Sequence, residues 1–110
     1  MAAVSNLAID QGTTYSVTIT VNDATGSARD LNGFTGRAQM RRSYFSSSNV
    51  TFTVSIDNPL DGEVILSLSS AQTANLKYGR YVYDVELVSN STTVERVVEG
   101  IVTVYPEVTK

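Results

Sequence analysis

The side chains of this chain best suited to chemistry are its carboxylates and its many hydroxyls. Asp84 and Glu86 stand two apart, and Glu95 and Glu99 four apart. Two acids facing each other across a cleft could hydrolyse a glycoside, one protonating the leaving oxygen and the other attacking or activating water. Acids at i and i+2 of a strand instead share one face. Each pair is therefore read as part of a solvated sheet face, with Arg80 or Arg96 opposite and each contact worth about a few tenths of a kcal/mol. Serine and threonine nucleophiles need a base, and the chain contains no His and no Cys, so the usual hydrolase triads are excluded. A Ser-Lys dyad would need a buried lysine, whereas Lys77 and Lys110 are expected in water. No catalytic residue is assigned, and the chain reads as a non-enzyme.

The same missing residues argue against zinc and redox metals, which draw on His and Cys. Calcium needs only oxygen ligands, but Asp57, Asn58 and Asp61 lack the alternating ligands and closing Glu of a calcium loop. They read as a turn around Pro59. Gly33 and Gly36 flank Phe34-Thr35 with no following helix to hold a phosphate. No metal and no cofactor is therefore expected. The net charge of -3 disfavours free nucleic acid as a partner, and Arg37, Arg41 and Arg42 are too few for a basic stripe. No stretch approaches the roughly 18 apolar residues of a membrane span, and the N-terminus lacks the pattern of a secretory signal. A membrane partner is not expected, and the absence of cysteine is compatible with folding in a reducing cytoplasm.

Binding chemistry is left to a few apolar side chains without an evident core role. Tyr44 and Phe45 adjoin a serine-rich loop where nothing obvious buries them. Near the C-terminus, Val94, Val98, Val102 and Val104 are read on one side of a strand and Val97, Ile101 and Tyr105 on the other. A strand apolar on both faces is either buried on both, changes sheets, or exposes a patch to a neighbouring subunit. The last is preferred, so the candidate interface is Tyr44, Phe45, Val97, Ile101 and Tyr105.

The elements that must position these residues are legible as alternation. Tyr15, Val17, Ile19 and Val21 alternate with Ser and Thr, which predicts a strand with one wet face. The pattern recurs at Val50, Phe52, Val54 and Ile56, at Val64, Leu66 and Leu68, and at Tyr81, Tyr83, Val85 and Leu87. Weaker strands are read at 7–10, 35–42 and 92–105, making about seven. Turn residues punctuate them at 22–26, 31–33, 46–49, 57–62 and 89–91. Ser69 followed by Gln72 is a capping box and predicts one short helix over about 70–76, with Ala71, Ala74 and Leu76 partly buried. The charged fraction is 17%, against about 25% in typical domains, so hydroxyls must cover much of the surface. Residues 1–110 are read as a single all-β domain, an immunoglobulin-like two-sheet sandwich.

Four segments in order, Ile9-Asp10-Gln11-Gly12, Asp30-Leu31-Asn32-Gly33-Phe34-Thr35, Tyr78-Gly79-Arg80-Tyr81-Val82-Tyr83-Asp84, and Val98-Glu99-Gly100-Ile101-Val102-Thr103-Val104 with Pro106-Glu107-Val108-Thr109, span nearly the whole chain. Together they resemble the N-terminal immunoglobulin-like domain of phage baseplate upper proteins and small virion structural proteins of cyanobacterial myophages. The resemblance implies a particle component made in the bacterial cytoplasm and located in the virion. Its implied partners are other phage structural proteins of tail, baseplate, neck or capsid, contacted in multiple copies. In baseplate upper proteins this domain resembles an adaptor that precedes receptor-binding parts. Here the sequence ends after it, so a self-contained accessory or decoration subunit is expected. The alternative is a carbohydrate- or host-surface-binding module using Tyr44 and Phe45.

Overall fold

Alternating apolar and hydroxylated residues can bury one face of a strand and leave the other in water, and two sheets can then close over a shared core. The computed structural model of this chain describes residues 3–23, 25–46, 49–90 and 93–109. Among these are β1 (Ala3–Val4), β2 (Leu7–Asp10), β3 (Tyr15–Thr20), β4 (Thr35–Arg41), β5 (Val50–Thr51), β6 (Thr53–Ser55), β7 (Glu63–Leu68), β8 (Gly79–Val88) and β9 (Val94–Tyr105), with helix α1 (Ser70–Ala74). Ala24, Ser47, Ser48, Ser91 and Thr92, which fall in expected turns or at the expected start of the last strand, lie outside the described residues.

The larger sheet has the order β1-β9-β8-β4-β5, with β2 also on β9, and the smaller has the order β3-β7-β6. Both β1 and β2 run parallel to β9, while the remaining pairs are antiparallel. This is the strand division of an immunoglobulin-like sandwich, with the N-terminal strand laid along the last strand instead of along β3. Ile9, Leu31, Met40, Leu66, Val85, Leu87 and Val102 are fully enclosed between the sheets.

The seven expected strands become nine segments among the described residues because a two-residue strand, β1, precedes the expected strand at 7–10 and the expected strand at 50–56 is interrupted. The N-terminal strand breaks at Ser5-Asn6. There the Asn6 side-chain oxygen accepts from the Ile101 amide at 3.1 Å in place of a backbone carbonyl. A side chain at Gly100 would collide with the Ser5 carbonyl, so the close approach of these strands requires glycine. The run from Val50 to Ile56 crosses between sheets, β5 pairing with β4 and β6 with β7. Phe52, buried at the crossing, donates its amide to the Ala38 carbonyl at 3.0 Å. Sheet switching, considered for the last strand, thus belongs to this one.

Helix α1 opens with the expected capping box. The Gln72 amide donates to Ser69 Oγ at 3.2 Å, and the Ser69 amide donates to Gln72 Oε1 at 2.8 Å. It ends at Ala74, two residues short of the expected 76, since Asn75 is its C-cap and the Leu76 amide turns back to the Thr73 carbonyl at 3.1 Å. Leu76 is buried as expected, but Ala71 and Ala74 are exposed. The inward residue of the helix is Thr73, whose hydroxyl lies 2.7 Å from the Thr13 carbonyl and 3.1 Å from that of Ser70. A hydroxyl with two acceptors can be buried at little cost. Beyond the helix, the Tyr81 hydroxyl donates back to the Lys77 carbonyl at 2.7 Å. This is the tyrosine corner of immunoglobulin-like domains, fastening the turn that leads into β8.

Candidate docking surface

The outer face of the larger sheet gathers most of the residues singled out from the sequence. On β9 the structure separates them by a bulge. Val85 pairs with Val98 but Glu86 pairs with Arg96, which leaves Val97 as an extra residue in the ladder. An extra residue reverses the phase of alternation. Before it Val94 and Arg96 face water, and after it Val98, Val102 and Val104 face the core. Val97 and Val98 are therefore both buried. Val97, at 8% exposure, is a core residue and drops out of the candidate interface, while Val94 leaves the inward set. Ile101 and Tyr105 remain outward, 42% and 50% exposed.

Tyr44 and Phe45 occupy the turn after β4, 67% and 98% exposed. The turn closes with the Ser46 amide on the Ser43 carbonyl at 3.2 Å. Arg41 holds it against the sheet, one guanidinium nitrogen donating to the Ser46 carbonyl at 2.7 Å and another to Gln39 Oε1 at 3.0 Å. Tyr44 lines a shallow depression with Gln39, Arg41, Val82, Asp84 and Arg96. Val82 is the cross-strand neighbour of both Arg41 and Ile101. A row thus runs over the sheet from the Tyr44 turn through Val82 to Ile101, with Tyr105 farther along β9 opposite Asp10 of β2. Val82 does not stand out in the sequence, where Tyr81 and Tyr83 beside it mark the buried face. Its position between Arg80 and Asp84 in the alternation was the available signal.

Charged side chains border this row. Arg96 lies between Asp84 and Glu99 at 3.2 and 3.5 Å, and Arg37 meets Glu86 at 2.7 Å. Arg96 is the partner expected for Asp84, whereas Arg80 is opposite Thr103. Glu95 is held instead by both guanidinium nitrogens of Arg29, at 2.6 and 3.0 Å. That hydrogen bonding lowers the Glu95 pKa and raises that of Arg29. Asp84 has a raised pKa. Burial on the sheet outweighs the opposing pull of Arg96, and the like charges of Glu86 and Glu99 add to the rise.

The three clustered arginines are all engaged within the chain. Arg37 and Arg41 serve the outer face as described, while Arg42 lies 4.5 Å from the Tyr81 ring centre and donates to the Tyr78 carbonyl at 2.8 Å. Asp57 accepts from the Ser55 hydroxyl, and the Asp61 amide donates to the Asn58 carbonyl at 3.0 Å, closing a single 3-10 turn at Pro59–Asp61. These are local turn contacts. The outer sheet face as a whole offers exposed apolar side chains bordered by paired charges, an arrangement suited to contact with another surface.

The strand order defines an immunoglobulin-like sandwich. No protein-family model matches the chain, and no curated protein matches it. Among solved structures it is similar to the crystal structure of the Lin-41 filamin domain, at 14% identity and a TM-score of 0.41, over 82% of this chain and 81% of that one.

Proposed function

We propose that this chain is a non-enzymatic structural protein of a tailed-phage particle that docks on a larger assembly through the outer face of its larger sheet. The docking role rests on the row from Tyr44 through half-buried Val82 to Ile101 and Tyr105, where the aromatic rings and Ile101 are exposed. The phage setting rests on the ordered motifs that resemble baseplate upper proteins and small myophage virion proteins. In that setting symmetry repeats one weak contact many times, and repetition makes decoration stable. The partners are other virion proteins of tail, baseplate, neck or capsid, and the chain resides in the virion.

Quantitative mass spectrometry of purified particles tests the setting, with a fixed copy number per particle as the expected result. The surface is tested by incorporation of folded variants. Ile101→Asp or Tyr105→Asp is expected to reduce incorporation severalfold, and Asp84→Asn or Glu86→Asn to leave it near normal. Equal incorporation of all four removes the assignment. The exposure of Phe45 at a turn tip favours one second reading, a carbohydrate- or host-surface-binding module. Aromatic rings of this kind can stack on sugars, and binding of the isolated domain to a glycan array, lost in Phe45→Ala, would favour it over the first.

A further inference from the structure

Among the described residues, β3 pairs with β7 alone, so its other side is a free edge six residues long. Free edges offer unpaired N–H and C=O groups to any extended chain, and proteins blunt them with short strands, charges, proline or bulges. The other edges of this sandwich are blunted: β5 has two residues, β6 three, and β2 has four and ends on Asp10. The β3 sequence Tyr-Ser-Val-Thr-Ile-Thr has no charge, proline or glycine, and pairs with β7 without a break from Tyr15–Leu68 to Thr20–Glu63.

The orientation of this edge follows from the ladder. Just beyond it, the Val21 amide donates to the Gly62 carbonyl at 2.7 Å. Backbone groups alternate in direction along an antiparallel strand, so Tyr15, Val17 and Ile19 turn theirs to β7 while Ser16, Thr18 and Thr20 turn theirs outward. The side chains divide the same way. Tyr15, Val17 and Ile19 pack on the core, and Ser16, Thr18 and Thr20 are exposed.

We propose that β3 pairs with β3 of a second copy, antiparallel about a two-fold axis at Val17, joining two three-stranded sheets into one of six. Ser16 of one copy then meets Thr18 of the other, and both have outward backbone groups. Tyr15 meets Ile19 and Val17 meets Val17 on the inner side. Moving the axis by half a residue would set apolar against hydroxylated side chains and mismatch the backbone groups, so the axis must fall on a residue, Val17 or, with Val17 then opposite Ile19, Thr18. The occupant is a second copy because the uncharged, alternating segment is self-complementary: laid antiparallel on its own image it sets apolar on apolar, hydroxyl on hydroxyl and outward backbone groups together, with no like charges opposed. Isologous two-fold contacts need such self-complementarity. The edge belongs to the sheet opposite the docking face, so the pairing stands or falls independently of the phage reading.

A strand pair this short falls below the roughly 1,200 Å² of standard stable interfaces, so the dimer is expected to be weak. Sedimentation equilibrium of the whole chain up to about 1 mM, where even a millimolar Kd registers, should show a monomer–dimer equilibrium. A wild-type chain that stays monomeric throughout overturns the proposal. Thr18→Pro removes an outward N–H and spares the β7 ladder, so it should remain monomeric and folded. Dimerisation of that variant equal to wild type overturns the proposal as well. Should Thr18→Pro fail to fold, cross-linking decides. The chain has no cysteine, and Val17→Cys would face itself across an axis at Val17, as Thr18→Cys would across an axis at Thr18, at Cα spacings of about 4.5 and 5.5 Å, both within disulfide reach. Under mild oxidation one of the two should form covalent dimer at least tenfold faster than Thr53→Cys on the opposite edge, and equal rates for all three overturn the proposal.

Discussion

Asp84 shows how a surface side chain can run against the habit of its type. Most paired carboxylates have lowered pKa values, and Glu95 with its two bonds from Arg29 conforms. At Asp84 burial dominates and the pKa rises. An acid whose folded pKa is raised favours the folded state while protonated. Its contribution is present below the unfolded value of about 3.9 and is lost as pH rises through the folded value. Asp84→Asn should therefore gain stability relative to wild type across that window and keep the gain at neutral pH. Paired urea titrations at stepped pH check this, and a difference that shrinks or reverses with rising pH would show that Arg96 outweighs burial. The carboxylates were legible in sequence as a wet face. The balance at Asp84 was not, because it depends on how deep the sheet face lies.

At the scale of the element, β9 carries the chief difference between pattern and structure. Its valines at 94, 97, 98, 102 and 104 cannot be assigned to faces by a single period of two, a misfit that on sequence alone suggests an exposed patch. The bulge at Val97 resolves it, placing one phase on each side. A charge at position 97 would be buried, so Val97→Asp should destabilise the chain by about 3 kcal/mol. Ile101→Asp, four residues on, should change stability by about 0.5 kcal/mol or less. Chemical denaturation of the two variants distinguishes core from surface residue, and similar losses for both would place Ile101 in the core. The tolerance of Ile101→Asp is also what makes it a usable probe of incorporation.

For the whole molecule, the placement of the strands sets where stability resides. β8 lies between β9 and β4, with Tyr81, Tyr83, Val85 and Leu87 all buried. β1 and β5 are two-residue segments at the rim of the same sheet. Local opening should therefore be rare in the centre and frequent at the rim. In native-state hydrogen exchange the slowest amides are expected between Tyr81 and Leu87, with protection at Ala3–Val4 and Val50–Thr51 lower by at least tenfold. Uniform protection across the larger sheet would contradict that ordering. The laying of β1 and β2 along β9 also has a molecular consequence, since it uncovers β3.

Sequence by itself determined the class of structure. Alternation along β3, β7 and β8 sets which side of each strand must be buried, and the Ser69–Gln72 capping box places α1, because both signals are local and need no knowledge of distant partners. It also bounded the chemistry, since missing His and Cys can be read directly. Tertiary structure alone decided the bulge at Val97, the crossing of the 50–56 run between sheets, and the burial of Thr73 in place of Ala71 and Ala74. Each depends on a partner far along the chain: Val85 and Glu86 for the bulge, β4 and β7 for the crossing, the Thr13 carbonyl for the threonine. The candidate surface divides the same way. Exposure of Tyr44, Phe45, Ile101 and Tyr105 was legible as apolar side chains lacking a core role, but their alignment through Val82 follows only from the register of β4, β8 and β9.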